Sequence, residues 1–253
     1  MAYTFAKTPS HSYLRTTTGP PQWGRGVDRT GFSVSLWFNA ANATAAHTLL
    51  KLEHGGTNTR YLLNVNGATA DDPVIWRSQI GEYMYTVSQT SYTASTWQHV
   101  FASAEFSETY TTLSVALNGA LICAENEAAI APTDAESYVQ ISGDNVFIPA
   151  IDGAIAEVAI YDVDLSAAPA RFELADGFAP SRVMPQNLIF YAPLVRDLQD
   201  VKAGHTLTAY NSPTTGPHCP VRRPANSFPA RCAPYVPSVT GSSWYYNRKR
   251  RVA

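Results

Sequence analysis

Glu157 is the residue whose type and surroundings come closest to those of a catalytic group. It lies in a strand-like run, residues 153–161, where a carboxylate could serve a glycoside hydrolase as general acid or nucleophile. Retaining hydrolases place two carboxyl groups about 5–5.5 Å apart across the scissile bond. Residues 154–159 read A-I-A-E-V-A and contain a single acid. We therefore expect no glycoside hydrolysis and predict no catalytic residue.

Other motifs of catalysis are missing from the sequence. It contains no G-x-S-x-G nucleophile elbow, no P-loop and no dinucleotide-binding glycine pattern. The 6 histidines are scattered, and His99, which stands at the start of a predicted strand, is expected to be structural. The protein is therefore predicted not to be an enzyme.

The three cysteines do not form a metal site, because no C-x-x-C pair or matching histidine spacing accompanies them. Cys123 lies in an apolar strand run and is predicted to be an inert buried thiol. Cys219 and Cys232 are 13 residues apart in a proline-rich segment. A disulfide between them and two reduced thiols are both left open.

Charge is segregated along the chain. Residues 1–202 hold 11 Lys/Arg and 20 Asp/Glu (net −9), whereas residues 203–253 hold 7 Lys/Arg and no acid (net +7). A surface that tracks nucleic acid needs clustered cations, so nucleic acid is an unfavourable partner for the acidic part. The terminal run 248–251, R-K-R-R, is the one place where such contact stays an alternative.

Alternation of apolar and polar residues indicates a β protein. In residues 32–38, F-S-V-S-L-W-F, every second side chain is apolar on one face. Ten such runs occur, and their short spacing favours a sandwich. They are residues 32–38, 48–52, 61–65, 74–77, 83–88, 98–106, 111–117, 121–124, 138–142 and 155–161.

Turn and helix signals fit between these strands. Asn118-Gly119 predicts a two-residue hairpin, since both central positions of a type I′ turn need positive φ. One short helix is predicted at residues 170–175, with Ser166 as N-cap and Gly177 as its stop.

The fold class predicted is all-β: a two-sheet antiparallel jelly-roll sandwich with one short helix. We expect an N-terminal segment (1–29), the sandwich (30–200) and an extended basic, proline-rich C-terminal arm (201–253). Seven prolines lie between residues 213 and 237, and proline cannot donate to a strand ladder.

Four motifs in fixed order point to a family. They are G-F-S-V-S-L-W-F (31–38), S-T-W-Q-H-V (95–100), L-S-V-A-L-N-G (113–119) and G-A-I-A-E-V-A-I-Y-D (153–162) followed by Leu165-Ser166. This set resembles the concanavalin A-like lectin/glucanase superfamily in its laminin G or pentraxin-like form, over about residues 30–178. The glucanase branch carries E-x-D-x-E on one strand face, a pattern that the Glu157 segment lacks.

The resemblance implies a binding protein rather than an enzyme. It leaves calcium open as a cofactor, with Asp71-Asp72 and Asp144-Asn145 as oxygen clusters, although neither has a dense acid spacing. No other cofactor is predicted. Trp37 and Trp97 are expected to pack within the sandwich rather than to bind sugar. A glycan partner, contacted through rim loops such as 66–73, is the alternative reading.

The C-terminal part is similar to an extension found in such proteins of tailed bacteriophages and prophages, through Y-A-P-L at residues 191–194 and the Leu207-Thr208 segment that follows. That resemblance implies a non-enzymatic structural protein of the virion, a head decoration or fibre-type protein assembled in the host cytoplasm. No apolar run long enough for a membrane span and no signal peptide is present, so membrane association is not expected.

The arm is expected to be ordered, bound to the partner or wrapped on the protein itself, and a flexible tail is the alternative. Interfaces favour tyrosine, tryptophan and arginine, and the partners expected are the major capsid protein or another virion protein and sister copies in a homo-oligomer. The residues predicted to make these contacts are Phe228, Arg231, Tyr235, Trp244, Tyr245, Tyr246 and Arg248.

Overall fold

Two antiparallel β-sheets share one hydrophobic core and form the body of the protein. The computed structural model describes residues 2–6, 11–16, 30–42, 46–54, 60–66, 73–80, 83–108, 110–128, 137–143, 150–167, 169–195 and 198–221. The chain divides into two units, residues 1–222 and 223–253, and all described residues belong to the first unit. The predicted all-β sandwich with two antiparallel sheets is confirmed.

The first sheet has eight strands. In spatial order they are β10 (Ala120–Ala128), β9 (Tyr110–Leu117), β8 (Gln98–Phe106), β3 (Gly31–Ala40), β12 (Gly153–Tyr161), β1 (Ala2–Phe5) and β15 (Thr214–Gly216), and β13 (Leu188–Ala192) also pairs with β12. One edge of β12 is therefore shared by two shorter strands, β1 near its start and β13 near its end.

The second sheet has seven strands. Their order is β14 (Leu207–Tyr210), β2 (Tyr13–Thr16), β11 (Ser137–Ile141), β4 (Ala46–His54), β5 (Arg60–Asn66), β6 (Pro73–Ile80) and β7 (Tyr83–Ser91). All ten strands expected from alternation are present in the two sheets.

The sheets extend beyond the predicted limits of the sandwich, 30–200, at both ends. Strands β1 and β2 come from the expected N-terminal segment, and β14 and β15 come from the expected arm. Each has only three or four residues, too few for a readable alternation. They are held by pairing with distant strands, so their formation depends on long-range register rather than on local pattern.

The core lies between the sheets and is rich in aromatic rings. Phe32, on β3, meets the Tyr61 ring edge-on at 4.8 Å between centroids, and Tyr61 stacks on Trp76 at 5.4 Å. The indole Nε1 of Trp76, on β6, donates a hydrogen bond to the Ser103 carbonyl oxygen on β8 at 3.0 Å. A side chain of one sheet is thereby bonded to the backbone of the other.

The predicted helix is present as α1 (Ala170–Ala175), followed by a short 3₁₀ helix (Pro180–Arg182). Gly177 follows it with φ +85°, as its predicted role as stop requires. The expectation that Ser166 caps the helix is wrong, because the N-cap is Pro169. The Ser166 hydroxyl instead donates to the Asp164 carboxylate. The described residues contain no helix of the length and hydropathy needed to cross a bilayer.

The predicted hairpin between β9 and β10 is confirmed. Asn118 and Gly119 have φ of +50° and +82°, and the side-chain oxygen of Asn118 accepts a hydrogen bond from the His99 backbone N–H at 3.0 Å. An added Cβ on Gly119 would lie 3.1 Å from Ala175, so the turn also packs closely against α1.

We expect Asn118→Ala to lower the free energy of unfolding by about 1–2 kcal/mol, because it removes this hydrogen bond and forces alanine into the left-handed region. Asn118→Gly loses only the hydrogen bond and should cost about 1 kcal/mol. Chemical denaturation followed by circular dichroism measures both. Equal losses for the two variants would contradict a contribution from backbone strain.

Candidate functional site

The outward side of the seven-stranded sheet carries a cluster of tyrosines and charged groups. Alternation places these side chains opposite the core residues of strands β14, β2, β11 and β4, such as Leu14 and Val139. We call this cluster the tyrosine face. Its members are Tyr13, Arg15, Lys51, Glu53, Tyr138 and Tyr210.

Two tyrosines form the outermost part of the tyrosine face. Tyr210 lies opposite Tyr13 in the register of β14 and β2. Their rings stack with centroids 4.6 Å apart and an interplanar angle of 10°. Tyr210 is 37% exposed, so part of its ring is available to a ligand while the stack limits its rotation.

Charged groups lie beside the tyrosine pair. The guanidinium carbon of Arg15 is 3.4 Å from the centroid of the Tyr138 ring, a cation–π contact that orders both side chains. The Tyr138 hydroxyl donates a hydrogen bond to the Glu53 carboxylate, which also pairs with the Lys51 ammonium group. The cluster thus combines flat aromatic surface with donors and acceptors whose positions are held by mutual contacts.

This combination suits sugar recognition. A pyranose ring presents apolar C–H groups that stack on an aromatic face, and hydroxyl groups that need both donors and acceptors. Arg15 supplies N–H donors, and the Glu53 carboxylate supplies acceptors. The groups rise from regular strands of one sheet, so their spacing is fixed by strand register rather than by loop conformation.

Trp37 and Trp97 occupy the positions expected for packing residues. Trp37 is 8% exposed and belongs to an apolar cluster with Ala2, Ala156 and Cys219. Trp97 packs against the same cluster. This apolar cluster lies on the outward side of the eight-stranded sheet. The tryptophans therefore stabilise the sandwich, as predicted.

His99, on β8, is fully buried and lies opposite Trp37 of β3. Its Nε2 lies 2.9 Å from the Ser35 hydroxyl oxygen, and the Trp37 ring packs beside it at 5.4 Å. Burial lowers the pKa of His99 to about 3, because desolvation disfavours the charged ring. A neutral imidazole buried in this way fits the structural role expected from the sequence.

Glu157 is also fully buried. Its carboxylate accepts a hydrogen bond from the Tyr191 hydroxyl and pairs with the His218 ring, whose Nε2 lies 2.9 Å away. The scattered histidines of the sequence did not indicate this contact. A buried carboxylate that is engaged by a tyrosine and a histidine has the surroundings of a structural group.

Several predicted sites lie outside the described residues. They include the oxygen clusters Asp71-Asp72 and Asp144-Asn145, and also Cys232. Cys219 is described and is buried. In the described ranges, no group of three or more histidine, cysteine or acidic side chains is arranged to hold a metal ion. The arm residues predicted to bind a partner also lie outside: Phe228, Arg231, Tyr235, Trp244, Tyr245, Tyr246 and Arg248.

Sequence reasoning missed the tyrosine face. The alternation Tyr13-Leu14-Arg15-Thr16 is present in the sequence, but its four residues fall in the segment expected to precede the sandwich. Tyr210 falls in the expected arm. Both strands alternate, but runs of four residues are too short for that alternation to be distinguished in the sequence.

A family model described as "Concanavalin A-like lectin/glucanases superfamily" matches residues 9–169. No curated protein sequence matches the chain.

Several solved structures are similar to this chain at low sequence identity. A native heptameric SAP-like pentraxin from Limulus polyphemus is 11% identical with a TM-score of 0.54, over 86% of this chain and 94% of that one. Domains LG4-5 of the mouse laminin alpha1 chain are 14% identical with a TM-score of 0.48, over 63% of this chain and 41% of that one. The CBM40 of Ruminococcus gnavus IT-sialidase, bound to alpha2,3 sialyllactose, is 16% identical with a TM-score of 0.44, over 58% and 82%.

Proposed function

Because this chain belongs to the concanavalin A-like lectin/glucanases superfamily, we propose that it is a non-enzymatic lectin-like protein that binds glycans on its tyrosine face. The observation that carries the proposal is the stacked pair of Tyr13 and the exposed Tyr210 beside the Arg15–Tyr138 contact. Glu157, the acid considered for catalysis, is buried and engaged by Tyr191 and His218, which favours binding over hydrolysis.

The position of the tyrosine pair defines where the sugar stacks. Strand β14 is the last strand of its sheet in the described order, so the side of Tyr210 that faces away from Tyr13 has no neighbouring described strand. Arg15 is on the neighbouring strand β2, whereas Glu53 is on β4, three strand spacings or about 14 Å from β14. A glycan whose first sugar stacks on Tyr210 therefore needs further sugar units, lying across the face toward β4, to contact both Arg15 and Glu53. Stacking supplies affinity, and the two charged groups supply selectivity among hydroxyl arrangements.

Tyr210→Ala is expected to weaken glycan binding by about two- to tenfold, because an aromatic stacking contact is worth roughly 0.5–1.5 kcal/mol. The measurement is a glycan array with the full chain, followed by titration calorimetry of the best ligand with both proteins. Tyr110→Ala is the matched control, since Tyr110 is 43% exposed but lies on β9 of the other sheet. Its affinity should equal that of the wild type.

Two results would contradict the proposal. One is the absence of binding by the wild-type chain across a broad array. The other is an equal loss of affinity in the Tyr110 and Tyr210 variants, which would place the ligand elsewhere or attribute the loss to general destabilisation.

A second candidate function is a structural role in the virion of a tailed phage, with the chain displayed on the particle. The observation that favours it is the charge segregation, in which residues 203–253 carry 7 Lys/Arg and no acid. In this proposal the residues after 222 attach the protein to the major capsid protein or another virion protein, with Tyr235, Trp244 and Arg248 among the contacts. The glycan-binding face would then be carried on the particle surface.

A mass-spectrometric inventory of purified particles tests this second function. The protein should be present at a copy number set by particle symmetry, and removal of residues 223–253 should abolish attachment. That cut leaves β14 and β15 in place, which a cut at residue 203 would not. A protein missing from purified particles would rule the structural role out.

A further inference from the structure

The last described part of the chain lies across the eight-stranded sheet. We call residues 214–221 the docking segment. It begins as β15, which pairs with β1 at the sheet edge, with Ala2 opposite Gly216 and Thr4 opposite Thr214. It then continues over the outward side of the same sheet, where Cys219 is buried.

The sheet receives the docking segment at several points. Cys219 packs with Ala2, Trp37 and Ala156, and Val221 contacts the same cluster. Gly216 lies so close to β1 that an added Cβ would come within 2.5 Å of the Thr4 hydroxyl oxygen. The docking segment therefore has glycine at the position where the Thr4 side chain of β1 leaves no room for a Cβ.

The strongest anchor is the pair of His218 and Glu157. Glu157 lies at a β-bulge, where the neighbouring strand changes from β1 to β13, and it has φ +55°. The His218 Nδ1 is 2.9 Å from the Cys219 carbonyl oxygen, and its Nε2 is 2.9 Å from the Glu157 carboxylate. The His218 ring thereby brings a polar contact of the docking segment to the buried Glu157 carboxylate.

The connection that leads into the docking segment is short and strained. Strand β14 belongs to the seven-stranded sheet and β15 to the eight-stranded sheet, so Asn211, Ser212 and Pro213 carry the chain from one sheet to the other. Asn211 and Ser212 have φ of +54° and +53°. This left-handed region is accessible to asparagine but costly for serine. Proline also restricts the residue before it to extended backbone.

We propose that the docking segment exchanges between two copies of this chain. In the exchanged dimer, Asn211 and Ser212 extend, and each docking segment occupies the same acceptor surface on its partner. Every contact of the segment is retained, including the histidine–glutamate pair, and the strain of the hinge is released. Short hinges under strain favour this kind of exchange.

Charge favours the encounter of two copies. The exchanged part of the chain, residues 214–253, carries 7 Lys/Arg and no acid, whereas residues 1–202 carry a net charge of −9. Opposite charges accelerate association at low salt. The dimer is therefore expected to form faster in low salt than in high salt, with the same final contacts.

A disulfide trap distinguishes the two arrangements. Thr4→Cys and Thr214→Cys are combined in the full chain, in which Cys123→Ser, Cys219→Ala and Cys232→Ser remove the native thiols. Opposite residues of an antiparallel pair have Cα atoms about 4.5–5.5 Å apart, within the range of a disulfide. Oxidation of the exchanged dimer links two chains, and oxidation of the closed monomer forms a loop within one chain. Non-reducing electrophoresis separates the disulfide-linked dimers from the monomers.

Two hinge variants are expected to shift the dimer dissociation constant in opposite directions from that of the wild-type chain. The constant is measured by light scattering after size exclusion. Ser212→Gly tolerates positive φ and should raise the constant about tenfold, whereas Ser212→Val should lower it about tenfold. Dimers linked through residues 4 and 214, with these shifts, support the exchange. Monomers at every concentration, or dimers with the disulfide only within single chains, overturn it.

Discussion

Trp76→Ala is expected to lower the free energy of unfolding by about 4–5 kcal/mol, at the upper end for aromatic-to-alanine changes in a core. Trp76 is fully buried and contacts the Tyr61 and Phe32 rings. The change also removes the hydrogen bond that the Trp76 indole donates to the Ser103 carbonyl oxygen of the other sheet. Denaturant unfolding followed by circular dichroism gives the loss.

Two further variants separate the causes of that loss. Trp76→Phe keeps much of the ring packing but not the inter-sheet hydrogen bond, and should cost about 2–3 kcal/mol. Phe172→Ala is the surface control, because Phe172 is 52% exposed on α1, and should cost less than about 1 kcal/mol. A Trp76→Phe variant as stable as the wild type would show that the hydrogen bond between the sheets contributes nothing.

Acid is expected to destabilise the protein through His99, well above the pH at which most carboxylates titrate. An unfolded imidazole binds a proton below about pH 6.5, whereas burial lowers the pKa of His99 in the folded state to about 3. The unfolded state therefore binds more protons in this window, so stability falls as the pH decreases through it. The slope is about 1.4 kcal/mol per pH unit, or about 2 kcal/mol between pH 7 and pH 5.

His99→Gln isolates this effect. Glutamine is neutral throughout, so the variant differs from the wild type by a constant offset above pH 7, and the two stabilities converge as the pH falls to 5. Urea unfolding at half-unit intervals of pH measures the difference, from which the contributions of all other groups cancel. Parallel curves for the two proteins would mean that folded His99 takes up its proton as readily as the unfolded residue.

The long strands could be predicted from sequence because each contains its own signal. The F-S-V-S-L-W-F run of β3 alternates over seven residues, and Asn118-Gly119 specifies the turn that joins β9 and β10. The family resemblance rested on the same segments. For these elements local pattern and tertiary packing agree, which is why the fold class was predicted correctly.

The candidate site could not be predicted because its residues meet only through long-range pairing. Tyr13 and Tyr210 are neighbours through the register of β2 and β14, and no local feature links them. Glu157 and His218 are joined in the same way, by a bulge in β12 and a segment that follows β15. Strands of three or four residues have little intrinsic propensity, so tertiary context decides whether they form.

The pairing of the first strands with the last ones determines when the sandwich can be completed. Strand β1 pairs with β15, and β2 pairs with β14, so both ends of the body are closed by contacts of high sequence separation. During synthesis the N-terminal strands must wait until residue 216 has left the ribosome before their outer edges are covered. Contacts of such separation slow folding, and unpaired strand edges invite aggregation. Until residues 207–216 are available, β1 and β2 each have one strand edge without its final partner.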